Sequence, residues 1–296
     1  MTGRELLVVA NARTSPSGRR GLDAALEVLL AAGLVEVVHS TSLDELDAAV
    51  DTAGQRPLVV CGGDGALHCV VERLWRHDVL DDAVLGLIPL GTGNDLARGL
   101  GIPLDPALAA AALLGGTPRR LDLIADDAGG VVVNAAHAGV GARAATVAAG
   151  MKERLGPLAY PLGALVAGVR AQGWALDVEV DGRALPHDDG RILLVGACNG
   201  PSIGGGTPLC PVADPSDGLL DVVVLSATGA PARMALSSAL LAGRHLERDD
   251  VHHVRGREVA ISGDPVSHNA DGEVSDEVDR RTYRVVPSAW TLILPN

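Results

Sequence analysis

Residues Leu58-Val59-Val60-Cys61-Gly62-Gly63-Asp64-Gly65 run from four apolar side chains straight into three glycines around one aspartate, and a helical pattern follows. A short apolar run bounded by glycine reads as a strand buried on both faces of a parallel sheet, with its loop at the sheet's carboxyl edge. Ligands of open α/β sheets bind at that edge. Glycines let backbone N–H groups approach phosphate oxygens, and the helix N-terminus favours their charge. Asp64 would then stand beside a phosphate, which is repulsive unless a divalent cation sits between the two. The same residues also suit a tight turn with a helix cap.

A second loop repeats the logic at Ile88-Pro89-Leu90-Gly91-Thr92-Gly93-Asn94-Asp95, again after an apolar strand and again opening a short helix. There Thr92 and the loop amides can bind phosphate, while Asn94 or Asp95 can cap the helix. A third polar loop, Asn11 to Gly18, follows the strand Leu6 to Ala10 and brings Ser17, Gly18 and Arg19 within reach of a nucleotide. Further strands are expected at Val35 to His39, Val84 to Leu90 and Leu121 to Ile124. Between them, Leu22, Leu26, Leu29 and Leu30 form one helical stripe, and Ser42 with Glu45 forms a capping box for the next helix. This alternation predicts an α/β nucleotide-binding domain with a parallel sheet over residues 1–124.

From residue 125 to 296 the texture changes to strands separated by Gly, Pro and Asp-Gly, which predicts a β-rich, sandwich-like second domain. The last strand or strands, about 281–296, are candidates to return to the first domain. Trp174 to Val180 alternates apolar and acidic residues and ends on Asp181-Gly182, a hairpin signal. Helices are expected near 155–171 and 230–243.

Composition narrows the function. The 296 residues carry 24 basic and 37 acidic side chains, a net charge of −13 that repels nucleic acid and anionic surfaces at long range. Phe is absent and aromatics are 2% of the chain, so platforms for stacking bases are scarce and no nucleic-acid partner is expected. Lys152 is the one lysine, so a Walker lysine, a kinase strand lysine and a Schiff base are excluded unless Lys152 serves. Four cysteines without C-x-x-C spacing fit a reduced, cytoplasmic protein. No uncharged run has the length and apolarity of a transmembrane segment.

The GGDG loop, the IPLGTGNDLAR stretch from Ile88 to Arg98, the region Asn199 to Asp221 and the late Asp271-Gly272-Glu273 stand in the order found in the diacylglycerol kinase catalytic-domain family, which the chain resembles over essentially its whole length. That family includes sphingosine and ceramide kinases and soluble bacterial lipid kinases, and shares its first-domain plan with NAD kinases and phosphofructokinases. The resemblance implies an ATP- and Mg2+-dependent phosphotransferase acting on diacylglycerol or a related lipid at the membrane surface. It implies nucleotide contacts from Asn11, Ser17, Gly18, Thr41, Gly62, Gly63, Asp64, Gly65, Gly91, Thr92, Gly93 and Asn94. It further implies metal support from Asp64, Asp95 and Asp122, a magnesium site from Asp214, Asp217 and the Leu219 carbonyl, and a general base in Asp271 or Glu273. Asp-Gly is also a common turn pair, and 211–221 also reads as a plain acidic turn. A homodimer and a peripheral membrane location are compatible with this reading.

Two departures from the family pattern stand out: Ala66 follows GGDG where Thr is usual, and Asn11 is followed by Ala12 rather than Pro. Other acceptors (a sphingoid base, another lipid alcohol, a soluble nucleotide) and a non-catalytic nucleotide or lipid sensor are the alternatives. Gly139 to Ala144 fits G-x-G-x-x-A but lacks the acid expected about 20 residues on. Gly200-Pro201-Ser202-Ile203-Gly204 fits a nucleophile elbow, yet the glycines and Pro208 that follow cannot readily supply its helix. His252-His253 is read as part of a solvated charged loop, because vicinal histidines do not share a face. Lys152 to Arg170 is read as a core-facing helix in preference to a membrane-interface one.

Overall fold

The computed structural model describes residues 5–11, 15–33, 35–140, 173–186, 191–226 and 229–296. The chain forms two compact units, Met1–Leu121 with Ser288–Asn296, and Asp122–Pro287.

In the first unit β1 (Leu6–Asn11), β2 (Val35–Ser40), β3 (Leu58–Gly62) and β4 (Val84–Pro89) form a parallel sheet in the order β4-β3-β1-β2. Thr291 and Leu292, at the end of β14 (Glu273–Leu294), extend it by pairing in parallel with Val84 and Leu85. Every residue of β3 is buried, as its unbroken apolar run requires. The connecting helices are α1 (Pro16–Ala32), α2 (Leu43–Ala53) and α3 (Asp64–Arg76), followed by α4 (Asp95–Gly99) and α5 (Pro106–Gly115). Their starts are chemically marked. Ser15 Oγ accepts the Gly18 N–H at 3.2 Å, Ser42 Oγ accepts that of Glu45 at 3.3 Å, and Asp105 Oδ1 accepts that of Leu108 at 2.9 Å. α1 lies so close to α5 that a Cβ on Gly21 would stand 2.9 Å from Pro106 Cγ.

β5 (Thr117–Asp126) leads into the second unit, which holds β6 (Val131–Val132), β7 (Ala135–Gly139), β8 (Leu176–Val180) and β9 (Arg183–Ala184). It continues with β10 (Leu194–Cys198), β11 (Leu220–Leu225), α6 (Ala230–Leu241), a 3-10 turn at His245–Glu247, β12 (Val251–Gly256) and β13 (Glu258–Ala270). The pairing is antiparallel, in the order β12-β11-β10-β7-β13. β13 pairs with β8 through Val259–Gly263 and with β7 through His268–Ala270, changing neighbour where its register with β14 slips. Such bulged, bent strands are how one strand serves two layers of a sandwich. Buried Val, Leu and Ala residues with Trp174 and Tyr283 fill this unit's core.

The structure revises several expected boundaries. β5 extends from Thr117 rather than Leu121, because Thr117–Arg120 are exposed and give no apolar signal. Trp174 makes an isolated bridge to Ile192 ahead of β8. His252 and His253 are not in a loop: they lie on β12, opposite Val224 and Val223 of β11. Ser202 is buried in a turn closed by an Ile203–Thr207 bridge, with Gly204, Gly205 and Gly206 all at positive φ, so no nucleophile elbow forms there. The helix expected near 155–171 and most of the Gly139–Ala144 pattern lie outside the described residues.

Candidate functional site

In the first unit Asn11, at the end of β1, and the loops after β2, β3 and β4 lie at the carboxyl ends of parallel strands, which fixes them to one edge of the sheet. The two glycine loops touch. A Cβ on Gly91 would stand 2.6 Å from Gly63 Cα, and one on Gly63 would stand 2.9 Å from Gly91 Cα, so only glycine permits the approach. The Leu90 N–H donates to the Gly62 carbonyl at 2.9 Å, continuing the ladder into the loops. Asn94 sits at φ 52° and closes its own loop, accepting the Gly91 N–H at 3.1 Å and donating Nδ2 to the Gly91 carbonyl at 2.8 Å. Its side chain therefore builds the loop instead of capping α4. Gly65, Gly91 and Thr92 are exposed at this edge and Gly62 is buried.

Asp64, the first residue of α3, accepts the Leu96 N–H at 3.3 Å, which brings it to the first turn of α4 beside buried Asp95. Two carboxylates in this position give hard oxygen donors suited to magnesium. The first loop contributes Ser17, exposed and 3.0 Å from Ser15 Oγ, and Gly18, buried in the first turn of α1. Asn11 ends β1 opposite Ser40.

Thr41 lines a cavity of about 200 Å³ whose walls include Val9, Leu46, Cys61, Ala66 and Cys69. Burial pushes the Cys61 thiol up to about 12, so that wall stays neutral. Ala66 adds a methyl where a threonine would add a hydroxyl. Thr41 donates both its N–H and its hydroxyl to Glu45 Oε2, at 2.5 and 2.7 Å, and these bonds hold the Glu45 carboxyl below its ordinary range.

Asp122 opens the second unit. It is fully buried, its Oδ2 accepts the Gly218 N–H at 2.6 Å, and its N–H donates to the Pro215 carbonyl at 2.7 Å. Asn199 Nδ2 donates to the carbonyls of Asp122 and Val133, at 2.9 and 2.8 Å. Asn134 Nδ2 donates to the Ser202 carbonyl at 2.8 Å. Asp122 thus anchors the 215–218 turn through a buried polar network that also holds Asn134 and Asn199.

The Asp271-Gly272 pair forms a two-residue hairpin turn between β13 and β14, with φ 49° and 101° and Ala270 opposite Glu273. Both Asp271 oxygens are engaged. Oδ1 accepts the N–H groups of Asn134 and Ala135 at 3.0 and 3.1 Å, and Oδ2 accepts that of Val133 at 2.6 Å. Glu273, two residues on, is exposed. Behind the turn, His137 and His268 are buried, and His268 Nδ1 pairs with the Tyr283 hydroxyl at 2.9 Å. Sequence reasoning passed over Asn134, His137, His268 and Tyr283; a histidine within the small buried strand of β7 was the one available signal.

The 214–219 turn is tied up by protein donors. Asp214 Oδ1 accepts the Ser216 N–H and hydroxyl at 3.0 and 2.6 Å, Asp217 Oδ1 accepts the Leu219 N–H at 3.0 Å, and Asp217 Oδ2 pairs with Arg255. The Arg255 guanidinium also lies 3.6 Å from buried Asp221, whose other oxygen meets His253 Nε2 at 2.6 Å. Among the described residues no three His, Cys, Asp or Glu side chains gather as a metal cage. We expect Arg255→Ala to cost about 1–2 kcal/mol by removing the ion pairs to Asp217 and to one oxygen of buried Asp221, whose other oxygen keeps His253. Calorimetry of the variant beside the wild type checks this, and an unchanged melting temperature would contradict it.

Residues 5–125 match the family described as "Diacylglycerol kinase catalytic domain", and residues 134–294 match "YegS C-terminal NAD kinase beta sandwich-like domain". The chain is 34% identical over 266 residues to "Probable lipid kinase YegS-like" of Stenotrophomonas maltophilia, covering 85% of this chain and 81% of that one. It is 37% identical over 248 residues to the protein of the same name in Pseudomonas putida, covering 82% and 78%. A solved structure of a diacylglycerol kinase from Bacillus anthracis str. Sterne superposes with a TM-score of 0.77 at 21% identity over 98% of this chain and 97% of that chain, a likeness of fold.

Proposed function

From the premise that the chain belongs to the YegS-like lipid kinases, built on the diacylglycerol kinase catalytic domain, we propose that it transfers the γ-phosphoryl group of ATP to the hydroxyl of diacylglycerol or a related lipid, as a peripheral protein at the membrane surface. The observation that carries this reading is the contact of two glycine loops at one sheet edge, with Asp64 and Asp95 beside them.

Phosphoryl transfer depends mostly on positioning and on electrostatic stabilisation of the phosphate oxygens. Backbone amides of Gly63, Gly65 and Gly93, with the Thr92 hydroxyl, would hold the phosphates. Thr41 and the cavity beside it would take the nucleoside end. Magnesium, held by Asp64 and Asp95 when bound, supplies the charge neutralisation that makes carboxylates tolerable beside a triphosphate. On the second unit we assign the general base to Glu273. The Asp271 oxygens already accept three N–H groups, which makes Asp271 a positioning residue that fixes the turn carrying Glu273.

The test is transfer of labelled γ-phosphate from ATP with magnesium into a panel of lipids in mixed micelles. Label in diacylglycerol supports the proposal. Label only in a sphingoid base or a soluble nucleotide moves the acceptor, and ATP binding with no label in any acceptor overturns catalysis.

A further inference from the structure

The β13–β14 ladder holds the turn that carries Glu273 by two residue pairs. The strands lose register between Ser267 and Asn269, so Asn269–Val274 and Ala270–Glu273 are the pairs left between that irregularity and the turn. In a two-residue hairpin the closing bonds run between the flanking residues, which leaves the N–H of the second turn residue outside the ladder. Here that residue is Gly272, at φ 101°, and its N–H donates to Asn269 Oδ1 at 3.0 Å. Asn269 is itself 3% exposed, and among the described residues its Nδ2 has no hydrogen-bond partner. It stands directly opposite His137 on β7, whose buried Nδ1 is likewise unpartnered among the described residues. Burying a half-satisfied amide costs free energy that an apolar residue of the same size would avoid. Packing therefore does not account for an asparagine at this position, whereas the bond to Gly272 does.

We propose that Asn269 is a positioning residue for Glu273, acting through the Gly272 amide. The proposal rests on the assignment of the general base to Glu273. The Asn269 bond fixes the peptide plane between Asp271 and Gly272, one residue before Glu273. The Asp271 carboxylate ties the same turn to the amides of Val133, Asn134 and Ala135. The turn is thus held at both of its residues, the first by its side chain and the second by its N–H. An exposed carboxylate such as that of Glu273 has no packing of its own to set its place, so the backbone it leaves sets its direction. A misplacement of about 1 Å can cost about 100-fold in rate. The loss falls on proton removal and not on the affinity for either substrate, so it registers in kcat and leaves KM unchanged.

The experiment compares Asn269→Ala with Asn269→Ser, and Asn269→Val with Asn269→Thr, each pair close in size and differing in whether an oxygen is left to accept the Gly272 N–H. Serine hydroxyls accept the N–H three residues on elsewhere in this chain, from Gly18 and from Glu45, so a hydroxyl can take over a bond of this span. We expect Asn269→Ala and Asn269→Val to lower kcat about 10- to 100-fold with KM for ATP and lipid unchanged, and Asn269→Ser and Asn269→Thr to recover most of the loss. In a Glu273→Gln background the four substitutions should cost nothing further, because a group that acts through Glu273 then has nothing left to position. Hydrogen exchange at the Gly272 amide, read by mass spectrometry on peptides spanning the turn, needs no activity. It should be faster than in the wild type for Asn269→Ala and Asn269→Val, and close to the wild type for Asn269→Ser and Asn269→Thr. Circular dichroism and melting temperature identify a variant that does not fold, and either pair alone carries the comparison. A wild-type kcat in Asn269→Ala and Asn269→Val, a hydroxyl variant as slow as its partner, or an undiminished loss in the Glu273→Gln background overturns the proposal while the kinase reading stands. A wild-type rate for Glu273→Gln itself fails the base assignment, and no label in any acceptor fails the kinase reading. Either one removes the positioning role as well, even where the exchange pattern shows Asn269 pinning the turn.

Discussion

Glu273→Gln is expected to slow phosphoryl transfer about 10²- to 10⁴-fold, the range for removing a positioned general base, while leaving the melting temperature unchanged. The exposed Glu273 side chain holds up no part of the core, so its loss should register in chemistry alone. Asp271→Asn supplies the contrast. Asn-Gly is at least as good a pair for this turn as Asp-Gly, so the backbone should survive. The carboxylate, however, accepts three N–H groups with two oxygens, and an amide would turn its own NH2 toward one of them. A lost charge-assisted bond together with an opposed donor costs about 2–3 kcal/mol. Asp271→Asn should therefore lower stability and activity together, and Glu273→Gln should lower activity alone. Initial rates at saturating ATP and lipid, set beside calorimetric melting, distinguish the two. A Glu273→Gln enzyme at the wild-type rate would move the base elsewhere, and an Asp271→Asn enzyme that melts normally but is dead would return it to Asp271.

The contrast between these neighbours also marks how far sequence could go. β3 and β4 with their loops were legible because full burial demands an unbroken apolar run and close approach demands glycine. The Ser42–Glu45 box was legible for a similar local reason, although Glu45 reaches past Ser42 to the Thr41 N–H. What stayed hidden is long-range. The Asp271 carboxylate meets amides 136–138 positions away, and Asn199 meets carbonyls 66 and 77 positions away, so no local spacing announces them. The same holds for β12. Val251-His252-His253-Val254 has the look of a charged loop until β11 pairs with it and Asp221 takes up His253. Arg255 pairs with Asp217 from 38 positions away, which no local spacing announces either.

Acid should destabilise the second unit through the two histidines that sequence passed over. His137 is held down to about 4 from 6.5 by burial, by repulsion from His268 and against the opposing pull of Asp271. His268 is likewise held to about 4 by burial and by Arg281, with Asp127 and Asp126 pulling the other way. The unfolded chain therefore takes up protons near pH 6.5, before the folded one does, so folding stability rises with pH in this window. The contribution is complete above pH 6.5 and is lost as the pH falls toward about 4, where the folded imidazoles finally protonate. A displacement of this size amounts to roughly 3 kcal/mol per imidazole, a large share of the 5–15 kcal/mol that holds a typical domain together. Urea unfolding at intervals from pH 7.5 to 4.5 reads it directly, and carboxylates elsewhere add their own slope, so the comparison is with a variant. His268→Gln keeps a hydrogen-bonding group for the Tyr283 hydroxyl and removes the titrating ring, so its stability should fall less steeply than that of the wild type between pH 6.5 and 4.5. Parallel slopes for the two proteins would mean that the buried ring does not govern the acid limit.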